Sequence, residues 1–155
     1  MYNSKGGNIE ELLKLNLGKP FNLAFLFSVF THILPKDCDF LLEFLRSQLV
    51  TKGEVFSSWF LINDETQKRI DAGLSRKKFI HQHHDVRIEN PEVPEGAVAY
   101  YEQDVLERFK KAGFSDVRIH YGTWRGGINS WVNQDIIVAR RLSWWKRARP
   151  FHLSV

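Results

Sequence analysis

Apolar residues cluster in two short runs of the chain. The first run covers residues 21–29, and the second run, VFSSWFLI, covers residues 55–62. Short, nearly continuous apolar runs are typical of strands that are buried on both faces of a parallel sheet. The first run leads into Ser28, Thr31 and His32, which places polar side chains where the chain must turn. Because a buried strand needs no histidine at its end, the pattern predicts that this end faces a ligand.

Three further segments repeat apolar residues at helical spacing. The first begins at Pro35, whose missing N–H suits the first turn of a helix, and Gly53 is its predicted terminator. In the second, Asn63 is placed to cap a helix over residues 64–72. The third ends at Gly113. The apolar positions are Cys38, Leu41, Leu42, Leu45 and Leu49 in the first segment, and Val105, Leu106, Phe109 and Ala112 in the third.

The remaining segments complete an α/β order of elements. Residues 74–96 are polar and contain two prolines, which predicts a loop or lid. Residues 114–123 alternate apolar and polar side chains like a half-buried strand, and residues 136–139 form the last strand. Because a helix joins the first two strands, they should be parallel with a right-handed crossover. A short connection joins the last two strands, so they should form an antiparallel hairpin.

Composition is that of one globular domain. The chain has 155 residues, 43% of them hydrophobic, and a chain of this size buries roughly 70% of its unfolded surface. The single cysteine, Cys38, cannot form an internal disulfide bond. Together with the absence of a signal peptide, it predicts a reducing, cytoplasmic setting. No apolar run approaches the roughly 20 residues of a membrane-spanning helix.

The net charge of +4 is unevenly distributed. Residues 142–155 form a basic, tryptophan-containing tail after a single partial domain over residues 1–141. This tail favours anionic partners. It could lie at a membrane surface, contact nucleic acid, or pack Trp144 and Trp145 on the domain, and the packed arrangement is favoured. The charge excess is too small to predict nucleic-acid binding.

A histidine-rich segment, HQHHD, lies within residues 74–96. Its residues His81 and His83 are two apart, and on a strand such histidines can share a metal ion. His84 and Asp85 follow, but no cysteine and no second ligand pair with fitting spacing lies nearby. The segment therefore favours a solvated loop, and we predict no metal site.

Five segments, in order, resemble the C-terminal half of a class I, Rossmann-like S-adenosylmethionine-dependent methyltransferase domain. They cover roughly residues 20–141 and read FNLAFLFSVFTHILP, GEVFSSWFLINDE, AVAYYEQDVLERFKKAGF, HYGTWRGG and QDIIVAR. The resemblance implies a partial Rossmann-like methyltransferase sheet, with parallel strands followed by an antiparallel hairpin and flanked by helices. It also implies methyl transfer from S-adenosylmethionine to a small-molecule or sugar-like acceptor.

The resemblance further implies roles for residues at the strand ends. Thr31 and His32 would face the reaction centre, where a histidine is suited to accept a proton near pH 7. The methionine end of the cofactor would be lined by Ser28, Val29 and Phe30. The acceptor would be bound by Trp59, Asn63, Tyr121, Trp124 and Arg125, and the charge of Arg125 would suit an anionic acceptor. For Thr31 and Asn63 helix capping is the structural alternative, and for Trp59 it is a place in the core.

The sequence departs from this family in the part that anchors the cofactor. Relatives have a strand ending in a glycine-rich turn and a second strand ending in an acidic residue, which hold the cofactor. The chain has no GxGxxG spacing, and Tyr2, Asn3 and Gly6 resemble a phrase that lies between the third and fourth strands in relatives. Residues 21–29 would then form an exposed apolar edge. Three hypotheses remain: a truncated methyltransferase, a non-catalytic remnant or subunit that pairs with a complementary chain through this edge, and a nucleic-acid binder that acts through the basic tail.

Overall fold

Eight strands and three α-helices make up the described part of the chain in a computed structural model. The structure describes Glu11, Lys14, Leu15 and residues 17–127 and 129–142. The phrase Tyr2, Asn3 and Gly6 and residues 143–155 of the predicted tail lie outside these residues. In chain order the elements are β1 (Phe21–Leu26), α1 (Pro35–Gln48), β2 (Leu49–Trp59), β3 (Leu61–Ile62), α2 (Asp64–Asp71), β4 (His81–His83), β5 (Val86–Ile88), β6 (Val98–Tyr101), α3 (Glu102–Ala112), β7 (Phe114–His120) and β8 (Asp135–Arg141).

The first sheet has the strand order β1-β2-β8-β7. The strands β1 and β2 are parallel and are joined by α1, as the sequence predicts. The strands β7 and β8 form the predicted antiparallel hairpin, and β8 also pairs antiparallel with β2. This arrangement confirms the α/β fold class with parallel strands followed by an antiparallel hairpin.

The helices α1 and α3 pack on one face of this sheet and form the main core with it. The core includes Leu42 of α1, Phe109 of α3, and Trp59 and Val55 of β2. Pro35 begins α1 as predicted, and α3 ends at Gly113, whose φ of 91° lies in the left-handed region that glycine adopts at low cost. No helix in the described ranges is long and apolar enough to cross a membrane.

A second sheet has the strand order β3-β6-β5-β4 and takes two of its strands from the predicted loop. The prediction that residues 74–96 form a loop or lid is wrong over residues 81–88, because β4 and β5 pair there as an antiparallel hairpin. Val86 and Ile88 are buried in the main core, and Phe79 is buried in a smaller cluster with Trp124. These strands have only two to four residues each, too few for a periodic pattern in the sequence.

Gly53 does not terminate α1, contrary to the prediction. The helix ends at Gln48 and the chain enters β2 at once, so that Gly53 lies inside this strand. A side chain at Gly53 would approach the carbonyl oxygens of Val50, Asn22 and Phe21 at 2.9, 3.2 and 3.2 Å. The glycine therefore permits the close approach of β1 to β2.

The expectation that residues 21–29 are buried on both faces is also wrong, because one face of β1 is exposed. Among the described strands, β1 also lies at the edge of its sheet. Ala24 and Leu26 pack against the core, whereas Phe25 and Phe27 on the opposite face are 60% and 59% exposed. Both of these rings lie 5.6 Å from the Phe56 ring of β2, measured between centroids. The predicted exposed apolar edge is confirmed, and it continues as an aromatic patch on the uncovered face.

Two phenylalanines three positions apart should differ sharply in their contribution to stability. Phe30→Ala should lower the free energy of unfolding by about 3–5 kcal/mol, because the buried ring stacks on Trp59 with a centroid distance of 4.1 Å. Phe27→Ala should change it by less than about 1 kcal/mol, since its ring is largely exposed. Urea denaturation followed by circular dichroism measures both values. Equal losses would contradict the one-sided packing of this sheet.

Candidate functional site

The segment after β1 turns at Ser28 and then forms hydrogen bonds with the second sheet. Ser28 has a φ of 53°, and its backbone N–H donates to the Oγ of Ser58 at 2.7 Å. Farther along, the carbonyl of Thr31 accepts a bond from the N–H of Val98 in β6, and the carbonyl of Ile33 accepts one from the hydroxyl of Tyr100. The second sheet therefore holds this segment, residues 28–33, which we name the β1 tip.

The predicted cofactor-binding residues of the β1 tip differ in how deeply they are buried. Ser28 is exposed, Val29 is half-buried, and Phe30 is fully buried in the core. Thr31 is also fully buried, and its Oγ1 has no hydrogen-bond partner in the described structure. A buried hydroxyl without a partner is costly, so Thr31 is an unusual position in this turn.

His32 is half-buried at the end of the tip, with its ring held in one orientation. Its backbone N–H donates to the carbonyl of Val29, and its Nδ1 lies 2.9 Å from the carbonyl oxygen of Glu95. Because a carbonyl only accepts, Nδ1 is the donor in this contact, which fixes the orientation of the ring.

Both tryptophans among the five predicted acceptor residues lie in the protein interior. Trp59 stacks on Phe30 and donates from its indole nitrogen to the Oγ of Ser57 at 2.8 Å. Trp124 packs edge-on against Phe60 and Phe79 in the smaller cluster. Both tryptophans are 0% exposed, so neither presents a surface to a ligand in this conformation.

The other three predicted acceptor residues meet around Glu102, a residue that the sequence did not single out. The Glu102 carboxylate accepts bonds from the Nδ2 of Asn63 and the hydroxyl of Tyr121, each at 3.0 Å. The guanidinium of Arg125 lies 4.0 Å from the centre of the Tyr121 ring. Burial and the neighbouring Glu102 carboxylate raise the pKa of Tyr121 above its usual value, so the phenol stays protonated and donates.

Arg125 is buried and contacts other interior groups, so it does not face an open surface. It is 1% exposed, its Nη2 donates to the Oγ1 of Thr66, and its ring contact is with Tyr121. Asn63 caps α2 as predicted, since its Oδ1 accepts a bond from the backbone N–H of Thr66 at 3.1 Å. The cap fixes Asn63 so that its Nδ2 points at Glu102.

Two cavities adjoin this cluster at the carboxyl ends of the strands. One, of about 600 Å³, lies beyond β3 and β6 and is lined by Asn63 and Glu102 among others. Another, of about 570 Å³, includes Tyr121 and the 93% exposed Trp131. The β1 tip contributes to neither of them, nor to two further cavities of about 760 and 300 Å³ near Arg108. Among the described residues, no group of three or more His, Cys, Asp and Glu side chains is placed to hold a metal ion.

Asp135, at the start of β8, ties the cluster to both sheets. Its fully buried carboxylate accepts bonds from the backbone N–H groups of Leu61 and Gly122, each at 2.8 Å, and from the indole of Trp124 at 2.7 Å. Burial raises the pKa of Asp135 to about 6, although these three donors and the nearby Arg125 act to lower it. In the sequence its only signal is an acid directly before the apolar run IIVA.

The raised pKa of Asp135 predicts a pH dependence of stability. The folded protein binds this proton up to about pH 6, whereas the unfolded chain releases it near the ordinary aspartate pKa of 3.8. The free energy of unfolding should therefore fall as pH rises from about 4 to about 6, by about 3 kcal/mol from this group. Asp135→Asn removes this titration, so the stability difference between wild type and variant should shrink over that range. Urea denaturation at several pH values measures it.

The exposed carboxylate of Asp71 provides the control for this prediction. Asp71→Asn should differ from wild type by the same small amount at pH 4 and pH 6. A constant difference for Asp135→Asn over this range would contradict the raised pKa.

Comparisons with known proteins were made by sequence and by structure. No protein-family model matches the sequence. Solved structures match it with probability 1.00. A Nostoc punctiforme protein named as an O-methyltransferase has a TM-score of 0.56 and 20% sequence identity, with 88% of this chain and 35% of that chain covered. Human N-acetylserotonin methyltransferase, solved with its S-adenosylmethionine cofactor, has a TM-score of 0.56 and 15% identity, with coverages of 90% and 33%.

A third structure is closer to this chain in length. The S-adenosylmethionine-dependent methyltransferase from Methanosarcina mazei has a TM-score of 0.51 and 16% identity, with 88% of this chain and 65% of that chain covered. The chain thus spans about a third of the length of the first two proteins and about two thirds of the third. At these identities the similarity establishes the fold, and the chain has a partial Rossmann-like methyltransferase fold.

Proposed function

We propose that the chain takes part in methyl transfer from S-adenosylmethionine to a small-molecule acceptor. The observation that carries the proposal is the sheet order β1-β2-β8-β7, in which β1 and β7 end at the same end of the sheet, with the β1 tip after one strand and Tyr121 after the other. From this end β2 leads through β3 to Asn63. Open α/β sheets bind ligands at the carboxyl ends of their parallel strands. The methyltransferases with this fold include one solved with S-adenosylmethionine, which supports the same cofactor here.

The β1 tip would contact only the methionine end of this cofactor. The exposed Ser28 is a group that a polar ligand could bond, whereas the unpartnered Oγ1 of Thr31 is fully buried. A glycine-rich turn and an acidic strand end, which hold the nucleoside portion of such cofactors, have no counterpart among the segments of the sequence. Ser28 and Val29 would therefore hold the methionine portion alone, with Thr31 buried behind them.

The residues present suit methyl transfer in which the protein mainly positions the cofactor and the acceptor. The cofactor supplies an electrophilic methyl group on a sulfonium, and the transfer requires in-line alignment with the acceptor atom. His32, held at Nδ1 by the carbonyl of Glu95, would act as a base on the acceptor. Glu102, with Asn63 and Tyr121, would hold the acceptor on the other side.

A complementary chain would complete this site along the open edge of β1. The strand contains no charge and no proline that would discourage pairing, and its aromatic side chains lie on the uncovered face. A strand added beside β1 would shield the edge and bring further groups to the β1 tip. The remaining cofactor contacts would come from that polypeptide.

Binding of the methionine end can be tested by NMR spectroscopy of the isolated chain. Millimolar S-adenosylmethionine and methionine should shift the backbone amide signals of Ser28, Thr31 and His32, whereas adenosine should leave them unchanged. The difference arises because only the methionine portion has partners here. Absence of shifts with S-adenosylmethionine, or equal shifts with adenosine, would rule out the proposed cofactor contact.

A second candidate function is a non-catalytic subunit that binds a partner chain through β1. The exposed aromatic patch around Phe25 and Phe27 favours it, because contiguous exposed apolar surface marks interaction sites. Under this alternative the tip residues bind no cofactor, and only the edge is functional.

Self-association through the β1 edge can be measured by sedimentation velocity. The wild-type sedimentation coefficient should rise with protein concentration, and Leu23→Lys combined with Phe25→Lys should abolish the rise, because buried charges oppose pairing. Leu74→Lys, at a position that is 63% exposed and outside the patch, is the matched control and should associate like wild type. A wild-type protein that remains monomeric up to millimolar concentration would contradict self-association through β1.

A further inference from the structure

The cavity of about 600 Å³ beyond β3 and β6 has the position of a ligand site. The two strands are parallel neighbours, with Leu61 paired to Tyr100 and Ile62 to Tyr101. Each strand leads directly into a helix, β3 into α2 and β6 into α3, and the cavity lies between the two helix starts. It therefore lies in the crevice at the carboxyl ends of parallel strands, where α/β proteins bind small molecules.

The wall of this cavity contains a carboxylate whose geometry is fixed. Glu102 is held by the Asn63 amide and the Tyr121 hydroxyl, and Asn63 is itself fixed by capping α2. A carboxylate offers about four lone-pair positions, so the two bonds leave room for donors from a ligand. Ile62 and Tyr101 supply apolar surface beside it.

The charges around the cavity determine which ligands it can accept. Its lining contains the carboxylates of Asp64, Glu65 and Glu102 and, counting the described residues, no basic side chain. Arg125, which the sequence suggested for an anionic acceptor, is buried against Tyr121 and Thr66 and does not line the cavity. An anionic ligand would be repelled, whereas hydroxyl and ammonium groups would find acceptors.

We propose that this cavity binds the acceptor through Glu102, and that the acceptor is an uncharged or cationic small molecule rich in hydroxyl or amine donors. The assignment rests on the proposed methyl transfer only in calling the ligand an acceptor. Binding itself requires no cofactor, so it can be tested separately.

Three sugars of one ring type separate the possibilities: glucose, glucosamine and glucose 6-phosphate. In NMR titrations without cofactor, glucosamine should shift the amide signals of Glu102 and Gln103 at concentrations at least 10-fold lower than glucose 6-phosphate. Glucose should fall between them if hydroxyl groups alone suffice, and should match glucose 6-phosphate if the ammonium group is required. Tighter binding of the phosphate, or no binding of any of the three, would overturn the proposal.

Variants on α3 locate the binding site. Glu102→Gln should weaken glucosamine at least 10-fold, because the amide removes the negative charge. Glu107→Gln is the matched control, since Glu107 is an exposed acid on the same helix that lines a different cavity, and it should bind like wild type. Weakening by Glu107→Gln in place of Glu102→Gln would assign binding to the other cavity and overturn the proposal.

A second substitution keeps the test decisive if Glu102→Gln does not fold. Gln103 is exposed and lines the cavity, so Gln103→Trp should block it without disturbing the core and weaken glucosamine and glucose alike. Unchanged binding would contradict the site. If the wild-type chain binds none of the sugars but S-adenosylmethionine still shifts the amide signal of Ser28, the proposed acceptor class is wrong. The methyl-transfer proposal is then unaffected.

Discussion

The buried carboxylate of Asp135 is the interaction on which the arrangement of the two sheets depends. It accepts a bond from Leu61, where the chain leaves β2 for the second sheet, and one from Gly122, where the chain leaves β7. The third donor is the indole of Trp124, which anchors the smaller hydrophobic cluster. Three N–H donors partly compensate the cost of burying one charge. Without this acceptor, all three donors would be left unpaired in the interior.

Among the described residues, the first sheet is covered by helices on one face only, and the second sheet bonds to the chain where β1 ends. The helices α1 and α3 bury one side of β2, whereas Phe56 on its other side meets the exposed rings of Phe25 and Phe27. The second sheet cannot cover that face, because it extends beyond the carboxyl end of β2. It instead bonds the β1 tip through Val98 and Tyr100. The tip is therefore well held even though the strand before it is open to solvent.

Local signals in the sequence predicted the helices, and apolar runs predicted the parallel pair β1 and β2, whereas the strands of the second sheet depend on long-range pairing and were not predicted. Pro35, Asn63 and Gly113 act on backbone groups within a few residues, so their roles can be read directly from the chain. The strands β4 and β5 depend on partners across the second sheet, and their polar sequence around Gln82 resembles a loop. For the candidate site, the sequence singled out the tip and Asn63 because they follow apolar runs. Glu102 was missed because its partner Tyr121 lies 19 positions away.

The segment between β2 and β7 controls both halves of the proposed site. It supplies the Glu95 carbonyl that orients His32, and it supplies Glu102 at the start of α3. Because β6 pairs with β3 and also bonds the carbonyl of Thr31 through Val98, a shift of β6 would move the tip and the cavity wall together. The separation between the tip and the Glu102 wall of the cavity is thus linked to the position of one short strand. Under the proposed function, an acceptor of a different size would be accommodated through changes in this segment.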